Sequence, residues 1–208
     1  MRVLLIGAAG MIGSRVALEA RTRGHVVTGV GRTGRDHIIG ADASDPHALA
    51  ALAADHDAIV LAARAMRTDV APHDGLLAIG RAVTAAMRET GVERLVVVGG
   101  AGSLEVAPGV RFLDQALNLP DAIREEANAQ AALLAFLRQT AGDLSWTYVS
   151  PGGMIAPGQR TGKFRIGGDQ VLVDGGGKSF ISAEDYAIGL VDELETAANV
   201  GRRINLGY

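Results

Sequence analysis

Three glycines at equal spacing lie near the start of the chain, in the run Gly7-Ala8-Ala9-Gly10-Met11-Ile12-Gly13. An apolar, strand-like segment precedes the run and an amphipathic, helix-like segment follows it. In that context the first glycine permits a tight turn, the second lets the backbone approach a pyrophosphate, and the third lets helix and strand pack closely. Phosphates then bind the free amides and partial positive charge of the helix start. We predict a dinucleotide site with contacts from Gly7, Ala9, Gly10, Met11, Ile12 and Gly13; a ligand-free glycine turn is the alternative.

The choice of dinucleotide depends on the residue after the predicted second strand. That strand ends in Val30-Gly31-Arg32-Thr33. NAD-specific sites carry an acid there for the ribose hydroxyls, whereas the planar fork of an arginine suits a 2′-phosphate. We therefore predict NADP(H) with Arg32 as its phosphate contact, assisted by Arg15. The alternative is that Arg32 is a solvated loop residue.

The elements that position these residues alternate between short apolar runs and amphipathic segments. Continuous apolar runs indicate strands buried on both faces, hence a parallel sheet between helices. Strands are predicted at residues 3–6, 26–30, 38–39, 58–62, 95–98 and 146–149, and helices at 11–23, 46–54, 75–90 and 121–140. Asp45, Gly91 and Ser182 are predicted helix caps. The expected fold class is α/β, a single-domain Rossmann fold over residues 1–208 with a doubly wound parallel sheet.

A glycine-rich segment, residues 157–182, follows the last of these strands and is here called the excursion. Its pieces KFRI, QVLV and KSFI predict short strands over the carboxyl edge of the sheet, and DGGGK and RIGGD resemble hairpin turns. Phe164 and Phe180, with Met154 nearby, could cover a flat substrate ring, with Arg160, Lys163 and Arg165 attracting an anionic one. Core packing or a homodimer contact is the alternative. The segment SAEDYAIGLVDELE then predicts a helix, and the tail RRINL an edge strand.

Small and polar residues also follow the later predicted strands, in the runs Asp42-Ala43, Ala62-Ala63-Arg64, Val98 to Ser103 and Ser150 to Met154. A predicted helix begins within the run Ile181-Ser182-Ala183-Glu184-Asp185-Tyr186-Ala187. With the GxxGxxG spacing, these runs resemble the atypical short-chain dehydrogenases/reductases, among them NmrA-like NAD(P)H-binding proteins similar to the biliverdin reductase B type of flavin reductase. The resemblance implies an adenine contact, a cofactor wall and a nicotinamide seat. The residues it assigns to these are Asp42 and Ala43; Ala62, Ala63, Arg64, Gly99 and Gly100; and Pro151, Gly152, Gly153 and Met154.

The chain departs from the Tyr-x-x-x-Lys pair that conventional members use to move a proton. Tyr148 and Tyr186 are followed four residues later by Gly152 and Leu190, and Tyr208 is the final residue. Hydride transfer to a flavin or quinone needs no protein acid, because such acceptors take a proton from water. We therefore expect an NADPH-dependent oxidoreductase acting on a flat conjugated acceptor. A non-catalytic NADP(H) sensor and an isomerase or epimerase are the alternatives.

Two side chains are candidate proton donors at the same edge, Ser103 and His73, although a turn hydroxyl and a solvated histidine are the simpler interpretations. No histidine spacing or HExxH motif indicates a metal.

Composition further narrows the classes of function that the chain could have. The chain has 208 residues, a formal net charge of -3 and no cysteine, which excludes disulfides and thiol nucleophiles. Mild acidity argues against nucleic acid as a partner, and no apolar run approaches the ~20 residues of a membrane span. We expect a cytoplasmic protein with a small-molecule substrate, and consider a homodimer.

Overall fold

The structure is a computed structural model that describes residues 1–64, 72–115 and 119–208, with the side chains of residues 72 and 73 left aside. The strands are β1 (Arg2–Ile6), β2 (Val26–Gly31), β3 (Ile38–Gly40), β4 (Ala58–Leu61), β5 (Arg94–Val98), β6 (Glu105–Ala107), β7 (Val110–Arg111), β8 (Ser145–Pro151), β9 (Met154–Ala156), β10 (Arg165–Gly167), β11 (Phe180–Ser182) and β12 (Arg202–Gly207). The helices are α1 (Met11–Thr22), α2 (Pro46–Ala53), α3 (Pro72–Thr90), α4 (Phe112–Gln115), α5 (Asp121–Thr140) and α6 (Ala183–Thr196).

The main sheet has the order β10-β12-β8-β5-β4-β1-β2-β3 and is parallel except for β10. One layer of helices, α2, α3 and α5, packs on one face, and α1 and α6 pack on the other. The predicted doubly wound α/β fold is confirmed. Strand order reverses between β1 and β4, and in such sheets ligands bind outside the carboxyl ends of the strands at that point.

Local signals placed three helix ends correctly. The Asp45 carboxylate accepts hydrogen bonds from the amides of His47 and Ala48 and so caps α2. The hydroxyl of Ser182 accepts from the amide of Asp185 and caps α6. Gly91 ends α3 with a positive φ of 76°, which glycine adopts without strain.

The carboxyl-terminal third differs from the prediction. The tail forms β12, which lies inside the sheet between β8 and β10, so its assignment as an edge strand was wrong. The edge position belongs to β10 of the excursion, which pairs antiparallel with β12. The QVLV piece forms no strand, since its only ladder contact is an isolated bridge from Gln170 to Glu105. Two small pairs, β6–β7 and β9–β11, were not predicted.

None of the helices in the described part of the chain is both long and apolar enough to cross a bilayer.

Candidate functional site

The glycine loop, residues 7–13, connects β1 to α1 at the carboxyl edge of the sheet, and backbone atoms crowd it. Gly7 has a φ of 88°, and a Cβ there would lie 2.5 Å from the carbonyl oxygen of Ala62. A Cβ at Gly13 would lie 2.2 Å from the carbonyl oxygen of Gly7. Gly10 is less crowded, at 3.3 Å from the same oxygen, as expected of a position that leaves room for a ligand. Gly7 and Gly13 are therefore glycine for packing reasons.

The start of α1 is open to an anion. Gly10 occupies the N-cap, no side chain of the described residues caps the helix, and its first turn carries no acidic residue. Amides at an uncapped helix start need acceptors from outside the helix, and the helix dipole favours a negative one. Gly10 and Met11 are exposed, so a ligand can reach these amides. The donor set fits the phosphates of a dinucleotide.

Arg15, predicted to assist with the 2′-phosphate, forms hydrogen bonds with other groups of the protein. Its Nε donates to Glu184 at 2.6 Å, and its Nη1 donates to the carbonyl of Met11 at 2.8 Å. This ion pair joins α1 to the start of α6. It weighs against a role for Arg15 at the ribose, and the prediction gains no support from the structure.

The end of β2 carries Arg32, which is exposed in the bend directly after Gly31. Nearby, Asp42 accepts hydrogen bonds from the hydroxyl and amide of Ser44, at 2.7 and 2.9 Å. These bonds hold the pKa of the Asp42 carboxyl below its ordinary value, so it is an anion at neutral pH. Ala43 packs against the core beside it. The pair thus has the acidic and apolar character assigned to the adenine contact.

At the end of β4, Ala62 is buried against the glycine loop through its carbonyl oxygen. Ala63 is partly buried against the core, and Arg64 is exposed. Ala62 and Ala63 thus lie beside the turn that opens α1.

Tyr148 explains the glycines that end β5. A Cβ at Gly99 would lie 2.1 Å from Cε1 of the Tyr148 ring. The Tyr148 hydroxyl accepts from the amide of Gly100 at 3.0 Å and lies 3.0 Å from both the main-chain and side-chain oxygens of Gln130. Burial raises the pKa of this phenol above its ordinary value. The Tyr148 phenol therefore fixes the backbone after β5 from within the core, and it is itself buried away from the edge.

The other tyrosines are also fixed within the fold. The hydroxyl of Tyr186 donates to the carbonyl of Val149 at 2.6 Å, and complete burial raises its pKa well above the ordinary value. The hydroxyl of Tyr208 lies 2.8 Å from both Ser182 Oγ and Asp185 Oδ2. Each of the three phenols thus has a structural partner.

The end of β8 is also enclosed. A Cβ at Gly152 would lie 2.9 Å from the backbone of Phe180, and one at Gly153 would lie 2.5 Å from Cζ of Phe112. Met154 follows with 68% of its surface exposed. Phe112 was missed by sequence reasoning, because it lies in the insertion between β5 and α5 and no local pattern places it beside Gly153.

Ser103 is not at the predicted place. Its hydroxyl accepts a hydrogen bond from Nη1 of Arg203 at 2.9 Å. Arg203 pairs with Tyr148 in the β12–β8 register, in the body of the sheet, whereas the carboxyl edge lies at Pro151 and Leu206. The hydroxyl therefore turns toward the face under α5, and the structure does not support Ser103 as a proton donor. The side chain of His73 lies outside the described residues.

Three side chains of the excursion that were predicted to contact a substrate have partners within the fold. Phe164 packs into the core, where a Cβ at Gly189 would lie 2.9 Å from its ring. The ring of Phe180 packs on that of Tyr208, with centroids 5.6 Å apart. Arg160 forms an ion pair with Glu19 of α1 at 2.9 Å. Core packing, the stated alternative, thus describes Phe164 better than cover over a substrate ring does.

The start of the excursion is fixed by the head of α6. The Asp185 carboxylate accepts from the amides of Thr161 and Gly162, at 2.7 and 2.8 Å, and from the Tyr208 hydroxyl. Burial raises the pKa of Asp185, but these hydrogen bonds outweigh it and hold the pKa below its ordinary value. Later, Asp174 and Lys178 close the hairpin predicted for DGGGK, with a bond of 2.8 Å from the Asp174 amide to the Lys178 carbonyl.

A buried ion pair lies at the opposite, amino end of the sheet. Arg94, at the start of β5, donates to the Glu193 carboxylate at 3.0 Å, and Glu193 also accepts from Thr147. Its position excludes it from the cofactor edge. Across the described ranges, no group of three or more His, Asp or Glu residues is arranged to hold a metal.

The sheet is parallel at its centre, and an uncapped helix and a crowded glycine loop lie where its strand order reverses. These features define an NAD(P)H-binding Rossmann protein. Comparison with known proteins agrees. Residues 7–197 match the family model described as NAD(P)H-binding. The chain is 35% identical to the uncharacterised protein YwnB of Bacillus subtilis over 223 aligned positions, which cover 99% of this chain and 98% of YwnB. The chain belongs to the NAD(P)H-binding family, in agreement with the predicted atypical short-chain dehydrogenase/reductase class.

Three solved structures are similar over the whole of this chain. A protein of Burkholderia pseudomallei named as a candidate exported protein is 41% identical, with a TM-score of 0.89 and all of its chain covered. A candidate epimerase of Bacteroides thetaiotaomicron is 32% identical, with a TM-score of 0.88 and 96% covered. A candidate NADH-flavin reductase of Streptococcus pneumoniae is 33% identical, with a TM-score of 0.82 and 99% covered.

Proposed function

We propose that this protein is an NADPH-dependent oxidoreductase that reduces a flat conjugated acceptor, such as a flavin or a quinone. The observation that carries the proposal is the placement of the phenols of Tyr148 and Tyr186, which are fully buried beneath the edge and have fixed partners. A carbonyl reductase needs a proton donor at its substrate. A conjugated acceptor takes its proton from water, so the protein need only hold the acceptor against the cofactor.

The residues at the edge divide the work of binding. The amides at the start of α1 hold the pyrophosphate, Arg32 holds the 2′-phosphate, and the backbone of residues 151–154 supports the nicotinamide. Bound NADPH supplies the hydride. The fixed backbone around Gly152 and Gly153 gives the nicotinamide ring a rigid support. Holding the ring in one orientation lowers the activation barrier to hydride transfer.

The preference for NADPH rests on Arg32 and on the lack of an acid at the end of β2. The name of the S. pneumoniae protein cites NADH. That name supports reductase chemistry for this chain. Our proposal of NADPH rather than NADH rests instead on Arg32 and the missing acid.

The B. thetaiotaomicron relative, named as a candidate epimerase, favours a second function, an isomerase or epimerase. Epimerisation through a transient ketone requires a group that takes and returns a hydroxyl proton. The buried tyrosines do not offer one, so we favour the reductase. The third candidate, a sensor, would bind NADP(H) without turnover.

The test measures NADPH oxidation with FMN, FAD and an uncharged naphthoquinone, together with NADPH binding by calorimetry. Gly10→Asp is the matched control, because aspartate is a good N-cap yet repels phosphate from the helix start. Turnover by the wild type, absent from Gly10→Asp, supports the proposal. Tight NADPH binding with no oxidation by any acceptor contradicts the reductase and favours the sensor.

A further inference from the structure

Phe112 connects the segments that follow β5 and β8. Its amide donates to the carbonyl of Leu104 at 2.7 Å, and the next amide, of Leu113, donates to Gly102 at 3.0 Å. Both acceptors belong to the segment that follows β5. The ring reaches across to Gly153 after β8, close enough that a Cβ there would lie 2.5 Å from its Cζ. Phe112 is half-buried, so the residue is not sealed within the core.

The backbone beneath the ring is locked from the opposite side. The Gly153 amide donates to Ser179 Oγ at 2.8 Å, and the Met154 amide donates to the Ser179 carbonyl at 3.0 Å. Met154 then pairs with Phe180 in the parallel β9–β11 register. The main chain is thus held between an aromatic ring and a strand, and the side chain of Met154 extends from a fixed position.

Two apolar side chains, Phe112 and Met154, lie on either side of Gly153 here, one in space and one in sequence. Met154 is 68% exposed, so its thioether is accessible to a ligand. The charged neighbours of Phe112, Arg111 and Asp114, neutralise each other in an ion pair of 2.7 Å. Thioethers and aromatic rings both pack favourably on flat conjugated rings.

We infer that Phe112 and Met154 form the wall against which the flat acceptor stacks at the end of β8. The inference rests on the proposed function and adds the residues that select the acceptor. The two side chains contact the conjugated ring of the acceptor, so we expect this wall to bind both flavins and uncharged quinones. Phe112 and Met154 bind the acceptor and take no part in proton transfer.

The experiment compares Phe112→Leu and Met154→Ala with the wild type. We expect the KM for FMN and for an uncharged naphthoquinone to rise roughly 3- to 10-fold, the scale of one lost aromatic contact. Binding of FMN in the presence of NADP⁺, followed by quenching of flavin fluorescence, should weaken by the same factor. The Kd of NADPH should stay within about twofold, since the cofactor contacts remain. Ile166→Ala on β10 is the matched control, because Ile166 is also exposed, at 58%, and lies on the edge strand.

The outcomes separate the two ideas. If the wild type turns over and both variants keep its KM and FMN affinity, the wall is wrong and the reductase stands. If NADPH affinity falls in parallel with acceptor affinity, the ring belongs to the cofactor site and the inference is overturned. A wild type that neither turns over nor binds flavin overturns both. Should Phe112→Leu fail to fold, Met154→Ala decides, because its side chain is exposed.

Discussion

Gly13 packs against Gly7 so closely that a Cβ at Gly13 would lie 2.2 Å from the Gly7 carbonyl oxygen. The clash is with backbone at the turn between β1 and α1, so no side-chain movement relieves it. The two glycines fix the angle at which α1 leaves the sheet, and hence where its free amides point.

Gly13→Ala should lower the free energy of unfolding by about 3 kcal/mol or more, at the upper end of overpacking costs. It should also weaken NADPH binding in the protein that folds. Urea unfolding and calorimetric titration measure the two effects. Gly75→Ala is the control, because a Cβ there meets nothing within 4 Å and the helix gains propensity. Equal stability of the Gly13→Ala variant and the wild type contradicts the packing argument.

Arg32→Gln should weaken NADPH binding roughly 10-fold or more, on the scale of a lost charge-assisted hydrogen bond. NADH binding should change little, because NADH has no 2′-phosphate. Arg35→Gln is the matched control, an exposed arginine in the same loop. Wild-type protein that binds NADH as tightly as NADPH contradicts the assignment.

Replacing Tyr148, Tyr186 or Tyr208 singly with phenylalanine should leave NADPH-dependent turnover within about an order of magnitude, since none donates a proton in the reaction. Tyr148→Phe should nevertheless lower the free energy of unfolding by about 1–3 kcal/mol, because it leaves the buried groups around it unpaired. Steady-state kinetics and urea unfolding of each variant provide the test. A folded variant that binds NADPH but loses about 100-fold in activity identifies a proton donor that we have missed.

Asp185→Asn should release the start of the excursion. An amide offers one acceptor oxygen where the carboxylate offers two, so donors from Thr161, Gly162 and Tyr208 lose partners. We expect a loss of about 3 kcal/mol in stability and faster hydrogen exchange at residues 158–163. Asp174→Asn, in an exposed hairpin turn, is the control and should leave that exchange unchanged. Equal exchange in both variants would show that other contacts hold the segment.

The stability of the protein should fall as pH drops below about 6.5, the ordinary pKa of histidine. Burial, with the charge of Arg2, lowers the pKa of His56, whose Nε2 lies 2.8 Å from Thr28 Oγ1. The unfolded state then binds more protons than the folded state between the lowered pKa and that value, so stability rises with pH in this window. His56→Gln should flatten the slope measured by urea unfolding, and His37→Gln, at an exposed site, should not. An unchanged slope in His56→Gln assigns it to other groups.

The sequence alone determined the features that local chemistry fixes. The glycine loop, the caps at Asp45 and Ser182 and the alternation of strand and helix depend on neighbours within a few residues, and all appear in the structure. Apolar runs buried on both faces were enough to predict the parallel sheet, and with it the edge where a ligand binds.

The tertiary structure alone decided which side chains meet at that edge. Ser103 follows β5 in sequence, yet its hydroxyl bonds to Arg203, 100 positions away, and turns to another face. Phe112 comes from an insertion without a recognisable pattern, yet its ring packs on Gly153. The tail became an inner strand because β10 of the excursion covers its outer side. Such contacts follow from packing between distant segments, which burial of the whole core selects and no local periodicity encodes.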